Sequence, residues 1–281
     1  MSEAAAPRRL ARKAAHLLSR ALLVLAVAYA CITLGVVLFA TQMIFPAPKD
    51  DPTPLVAGAH VLTLTSADGV PVHALVFDPP SDDAPIVVQF HGNGELVGID
   101  QWIGGDLEKL GFGAVLVEYR GYGRSSSVGP TERGIYADSS AILDHLRASG
   151  LPDSRIALWG FSLGTGVAAE MASRGYGSHL ILQAPFTSIP DMAMLKFPYL
   201  PARWLTPVDF DTLAKAPRIH MPTLVFHGDA DPVIPFEFGK RVAQAIPGAT
   251  FVPVAKGSHD YRYGRRGWVF EQIAAFVRGG G

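Results

Sequence analysis

The sequence predicts an α/β fold, a mostly parallel central sheet with helices on both faces, preceded by one long apolar helix. Three observations carry this reading. From about residue 60 onward, short apolar runs alternate with helical patterns, the signature of β-α-β units. The runs are nearly all apolar rather than alternating, as strands buried on both faces must be. One strand–helix junction, Gly160-Phe161-Ser162-Leu163-Gly164, has the Gly-x-Ser-x-Gly form of a sharp turn that lifts a serine hydroxyl above a sheet.

Residues 1–20 are basic, with Arg8, Arg9, Arg12, Lys13 and Arg20 against Glu3. Ala21 to Ala40 then carries no charge, and at ~1.5 Å per residue such a helix spans the ~30 Å of a bilayer core. Met43, Ile44 and Phe45 extend it until Pro46 and Pro48 stop it. Residues 21–45 are therefore expected to be a membrane anchor. The basic tail should remain cytoplasmic, which puts the downstream domain on the other side. A cleaved signal peptide is the alternative, with Ala28-Tyr29-Ala30 as cleavage site, although the apolar run is long for one. Ala28-Tyr29-Ala30-Cys31 also faintly resembles a lipoprotein signal, without its usual leucine. A buried core helix does not fit a segment apolar on every side. Residues 46–59, with Pro46, Pro48, Pro52, Pro54 and Gly58, read as a linker, and residues 60–281 as the folded domain.

His60–Thr65 and Val72–Phe77, joined through Ala67-Asp68-Gly69, read as a β-hairpin at one sheet edge. Ile86–Phe90 is the next strand, ending in His91-Gly92-Asn93-Gly94. A helix is expected around Val97–Leu110, then a strand over Ala114–Tyr119 and the loop Arg120-Gly121-Tyr122-Gly123-Arg124-Ser125. Thr131-Glu132 opens a helix to about Ala148, with Ile135, Ile142, Leu143 and Leu146 on one face. The strand Arg155–Trp159 leads into the serine turn and a small-residue helix, Thr165–Ala172. After strand His179–Gln183, residues 185–218 look irregular and rich in Pro, Met and aromatics, a short cap over Ser162. Pro222–His227 is a strand, Phe236–Ala245 a helix and Thr250–Val254 the last strand. A closing helix carries Phe270, Ile273, Ala274 and Val277 on one face.

In such sheets chemistry gathers beyond the strands' C-terminal ends, where Ser162, Asp231 and His259 all fall. A serine hydroxyl is a weak nucleophile until a base accepts its proton, and the base needs an orienting carboxylate. His259 is the expected base and the only histidine after the acid. Asp231 is the expected acid. Asp229, two residues earlier, is its rival but reads better as a turn-former after Gly228. The backbone N–H groups of Asn93 and Leu163 are expected to form an oxyanion hole, in which losing one donor costs ~3–4 kcal/mol of barrier. His91 and His227, each in a His-Gly pair, are expected to brace their loops.

A net charge of −1 gives no pull toward nucleic acid, and the single cysteine, Cys31, precludes an intrachain disulfide. With no His-x-x-x-His, no cysteine pair and no phosphate-binding glycine signature, neither a metal nor another cofactor is expected.

Taken together, His91-Gly92-Asn93-Gly94, Tyr119–Ser125, Gly160–Gly164, Ala184-Pro185-Phe186-Thr187-Ser188, His227–Asp231 with Val233-Ile234-Pro235, and Gly257-Ser258-His259-Asp260 resemble the α/β-hydrolase superfamily. Within it they are similar to the Bem46/ABHD13/ABHD17-type serine hydrolases. The last stretch departs mildly from the family wording. The resemblance covers about residues 60–278 and implies the α/β-hydrolase fold and hydrolysis of an ester, thioester or lipid acyl bond. Members commonly carry one N-terminal membrane anchor.

The cap residues Phe186, Met192, Met194, Phe197, Tyr199, Leu200, Trp204 and Leu205 are expected to face Ser162, with Phe186, Met192, Phe197 and Trp204 contacting an acyl chain. Equally, they could serve only to pack the cap on the core. Two other readings remain. A serine aminopeptidase would need an acidic anchor for a substrate amine in the cap. A catalytically idle partner-binding scaffold would have no reason to keep the serine, acid and histidine together.

Overall fold

A computed structural model describes residues 5–51 and 53–279; Glu3 of the basic tail and Pro52 of the linker lie outside the described residues, as do the side chains of Arg8, Arg9 and Arg12. Eight strands form one sheet in the order β1-β2-β4-β3-β5-β6-β7-β8. β1 (Ala59–Thr65) and β2 (Pro71–Phe77) are the antiparallel hairpin, and β2 also runs antiparallel to β4 (Gly113–Glu118). β3 (Ile86–Phe90), β5 (Ile156–Phe161), β6 (His179–Gln183), β7 (Thr223–Gly228) and β8 (Thr250–Val254) continue the sheet from β4 in parallel.

β3 pairs with β4 on one side and β5 on the other, so the chain reverses its direction of travel across the sheet there. A crevice opens at the C-terminal ends of two such strands, because their following connections leave on opposite faces. β3 ends at the His91 loop and β5 at Ser162, with Phe90 opposite Gly160 in register. Topology alone thus fixes where the site sits.

Alternation along β5 feeds two cores. Ile156 and Leu158 join the layer beneath α3 (Glu132–Ala148) and α4 (Leu163–Ser173). Ala157 and Trp159 face the layer that contains Phe270 of α8 (Arg262–Gly279), whose ring meets the Trp159 indole edge-on at 5.5 Å. α2 (Trp102–Lys109) lies on that second side, and α7 (Phe236–Ala245) on the first.

Three stretches differ from expectation. α2 starts at Trp102, not near Val97, because residues 96–101 form hydrogen-bonded turns. The linker is strapped to the domain. Gln101 accepts from Val56 N–H and donates to the Pro54 carbonyl, both at 2.8 Å, and Gly123 N–H donates to the Pro48 carbonyl at 2.8 Å. The cap holds two short helices, α5 (Ile189–Lys196) and α6 (Thr212–Lys215), each capped by a side chain: Ser188 accepts from Asp191 N–H and Asp211 from Ala214 N–H. Capping residues were visible in the sequence, but the abundance of proline and aromatics hid the helices.

The N-terminal helix α1 runs Ala5–Ile44, longer than the expected anchor, since the basic tail is built of good helix formers and nothing breaks it. Its stretch Lys13–Ile44 is long and apolar enough to cross a membrane. Residues 13–32 are exposed and meet the domain through Tyr29 Oη, which donates to the Tyr199 carbonyl, whereas Ala40 and Phe45 are buried against the domain, Phe45 edge-on to Phe210 at 6.1 Å.

Candidate active site

Ser162 holds φ 49° and ψ −117°, a conformation that residues with a Cβ avoid. The turn is clamped from both sides. Ser162 N–H donates to the Gln183 carbonyl at 3.0 Å, and the Ser162 carbonyl accepts from Thr165 Oγ1 at 2.6 Å. The flanking glycines are required by close approach. A Cβ on Gly160 would lie 2.4 Å from the Gly164 carbonyl oxygen, and one on Gly164 only 2.0 Å from that of Phe90.

Three of the residues singled out in the sequence meet beyond the strand ends. His259 Nε2 lies 3.0 Å from Ser162 Oγ, and His259 Nδ1 lies 2.8 Å from Asp231 Oδ2. A carboxylate can only accept, so Nδ1 carries the proton and Nε2 is left to accept from the serine hydroxyl. Asp231 is fixed in turn. Its Oδ1 accepts from Val233 N–H at 2.7 Å and Ile234 N–H at 2.9 Å, while His227 Nε2 lies 3.3 Å from Oδ2. Burial alone would raise this carboxyl, but the hydrogen bonds from His227, His259 and Ile234 hold it well below the usual carboxylate range. Asp229 turns away and accepts from Lys256 N–H at 2.6 Å.

Several hydrogen bonds brace the His91–Gly94 loop. Tyr119 Oη donates to the His91 carbonyl at 3.1 Å, Gly92 N–H donates to Glu95 at 2.6 Å, and Tyr122 Oη donates to Asn93 Oδ1 at 3.1 Å. His91 donates from Nδ1 to the Gly92 carbonyl at 2.8 Å, and its complete burial brings the imidazole down to about 4, so it stays neutral. Beneath it, burial pushes the Glu118 carboxyl up to about 7. Asn93 and Leu163 both line the cavity that reaches Ser162 and His259, and Leu163 opens α4, where unpaired N–H groups and the helix dipole favour a developing negative charge.

Sequence reasoning missed the link between the two loops. Arg262, fully buried, donates to Glu95 of the His91 loop and, at 2.7 Å, to Asp260 beside His259. Its guanidinium stacks 3.7 Å over the Phe161 ring, which itself lies 5.3 Å from the His259 ring. Glu95 and Arg262 are 167 residues apart, and no local pattern pairs them.

Above Ser162 opens a cavity of about 390 Å³. Phe186, Met192 and Phe197 line it, with Ile189, Leu205 and Ile234. Trp204 departs from expectation: it stands 81% exposed on the outside of the cap, and its neighbour Leu205 lines the cavity instead. Met194 and Tyr199 also face outward. In so short a cap, composition could not tell the inner face from the outer. The far wall was not foreseen either. It is α1, through Val36, Ala40, Met43 and Ile44.

Known proteins share this chain's pattern. Residues 81–209 match the family model described as serine aminopeptidase, S33. An uncharacterized protein of Mycobacterium tuberculosis is 31% identical over 252 residues, covering 86% of this chain and 89% of its own length. A putative α/β hydrolase of Acanthamoeba polyphaga mimivirus is 30% identical, covering 70% of this chain and 74% of itself. The lysophosphatidylserine lipase ABHD12 of Rattus norvegicus is 33% identical over 62% of this chain, which spans about half (48%) of that longer protein. Among solved structures, an esterase of Pyrococcus furiosus superposes with a TM-score of 0.68 at 16% identity, covering 83% of this chain and 97% of its own. Sheet order, strand–turn–helix at Ser162 and relatives agree, and the chain belongs to the α/β-hydrolase family.

Proposed function

We propose that this protein is a membrane-anchored serine hydrolase that cleaves carboxylic ester or thioester bonds of acyl substrates. The single observation that carries the reading is the hydrogen-bonded run Ser162–His259–Asp231 at the floor of an apolar cavity. In the proposed reaction His259 Nε2 takes the Ser162 proton as Oγ attacks the acyl carbon. Asn93 and Leu163 N–H stabilise the resulting oxyanion. The imidazolium returns the proton to the leaving alcohol or thiol, and water, deprotonated by the same histidine, cleaves the acyl-enzyme. Asp231 keeps the tautomer and stabilises the cation. Residues 21–45 serve as the span, with the basic tail cytoplasmic and the hydrolase domain on the opposite side.

An aminopeptidase reading draws support from the name of the matching family model. The cavity speaks against it: its lining includes Lys196 and, among the described residues, no carboxylate to anchor a substrate amine. A fluorophosphonate probe should label the wild type at Ser162 and fail to label Ser162→Ala. An unlabelled wild type would overturn the mechanism. Parallel assay of p-nitrophenyl esters and aminoacyl anilides separates the two substrate classes, with cleavage of esters alone expected.

A further inference from the structure

One helix both carries the membrane-crossing sequence and walls the cavity. Val36, Ala40, Met43 and Ile44 lie on one face of α1, spaced as successive helical turns require, and all four line the space above Ser162. Leu34 and Leu38 on the opposite face, and Val37 and Phe39 flanking the lining face, are exposed. These residues belong to an uncharged segment that begins at Ala21. A lipid core of ~30 Å placed on that segment reaches the level of the cavity wall whichever residues bound it.

The cap follows α1 downward. Tyr29 Oη donates to the Tyr199 carbonyl at 3.1 Å. Tyr29 precedes Ile44 by fifteen residues, about 22 Å along the helix axis, so the cap tip reaches lipid depth. Three features suit it to that place. Leu195, Tyr199 and Trp204 stand exposed on the cap, Tyr199 by 89%, a cluster of large apolar and amphipathic side chains that lipid accommodates. The cap's backbone is sparing of free donors: Pro198 and Pro201 have none, and Phe197, Leu200, Trp204 and Leu205 N–H are bonded within the cap. The exposed Arg203 has its charge met on the cap itself, 3.8 Å from Asp191.

We propose that the outer face of the cap is seated in lipid beside α1, and that the acyl chain of a membrane-resident ester enters the cavity sideways from the bilayer, along α1. The docking surface stands on its own; the entry route rests on the hydrolase reading above.

The full-length protein, reconstituted into phosphatidylcholine vesicles with brominated acyl chains, tests both. Trp204 fluorescence, taken as the difference between wild type and Trp204→Phe, is expected to be quenched. Leu195→Asp and Tyr199→Asp should each slow hydrolysis of an oleoyl ester carried in vesicles by about tenfold, while soluble p-nitrophenyl butyrate changes by less than about twofold. Absent quenching overturns the docking surface. If quenching is absent and Leu195→Cys forms a disulfide-linked dimer, the surface belongs to a second copy of this chain. Quenching with equal change, or no change, on both esters overturns the entry route. A wild type that cleaves neither ester removes the hydrolase reading, and with it the entry route, while quenching still decides the docking.

Discussion

The guanidinium of Arg262 lies 3.7 Å over the ring of Phe161, the residue immediately before the serine turn. From there it pairs with Glu95 on one side and Asp260 on the other, so one buried cation holds the His91 loop, the serine strand and the His259 loop in register. Truncation should therefore cost both stability and rate. Arg262→Met leaves two carboxylates without their partner and should destabilise the fold by about 3–5 kcal/mol, read by denaturant unfolding. Arg262→Lys keeps the charge but loses the planar fork and the stacking, so it should restore stability only in part while turnover stays low. Full restoration of turnover by lysine would limit Arg262 to a charge-balancing role.

Asp231 and Asp229 should separate cleanly. Asp231→Asn replaces the acceptor of the His259 Nδ1 proton with a group that favours the wrong tautomer, and kcat for p-nitrophenyl butyrate should fall by roughly 10³–10⁴-fold. Asp229→Asn should stay within about threefold, because that side chain only caps a turn through Lys256 N–H. The reverse ranking would assign the acid to Asp229.

Two buried groups at the base of the His91–Gly94 loop should give opposite pH slopes. Glu118 rises from 4.5 to about 7 on folding, so its native form takes up a proton; stability tied to it is complete below pH 4.5 and is lost as pH climbs through 7. His91 falls from 6.5 to about 4, so stability tied to it is complete above pH 6.5 and is lost as pH drops through 4. The two nearly cancel in the wild type. Glu118→Gln should unmask the histidine, giving a melting temperature that rises with pH between about 4 and 6.5, and should stabilise the protein at pH 8 by on the order of 1–3 kcal/mol. A flat profile in Glu118→Gln would contradict the neutral, buried state of His91.

Gly164→Ala should fail at the backbone. Its Cβ would sit 2.0 Å from the Phe90 carbonyl oxygen, and neither β3 nor α4 can retreat without breaking the register that aligns Phe90 with Gly160. A loss of at least about 3 kcal/mol is expected, with little soluble protein recovered. Gly105→Ala, with open space around its Cβ, is the matched control and should be neutral or better, as expected for an alanine in a helix.

The sheet was legible because its strands are short apolar runs punctuated by glycine, and β3, β6 and β8 begin and end where the sequence placed them. Ser162, Asp231 and His259 were legible because each follows a strand and topology brings strand ends together. What escaped notice was pairing across sequence distance, as between Glu95 and Arg262, and orientation within an element. Trp204 and Leu205 are neighbours of similar apolar character, yet one faces solvent and the other the cavity. Only the fold around the cap decides between them. The role of α1 was half visible: its length and lack of charge marked a helix able to cross a membrane, but nothing in a uniformly apolar helix marks which side will close a cavity.

That shared wall has a practical corollary. Deleting the N-terminal helix would also strip Val36, Ala40, Met43 and Ile44 from the receptacle, leaving the space above the serine open along that wall. Selectivity measured on such a fragment would describe a different cavity, because the long apolar helix and one wall of the receptacle are the same piece of polypeptide.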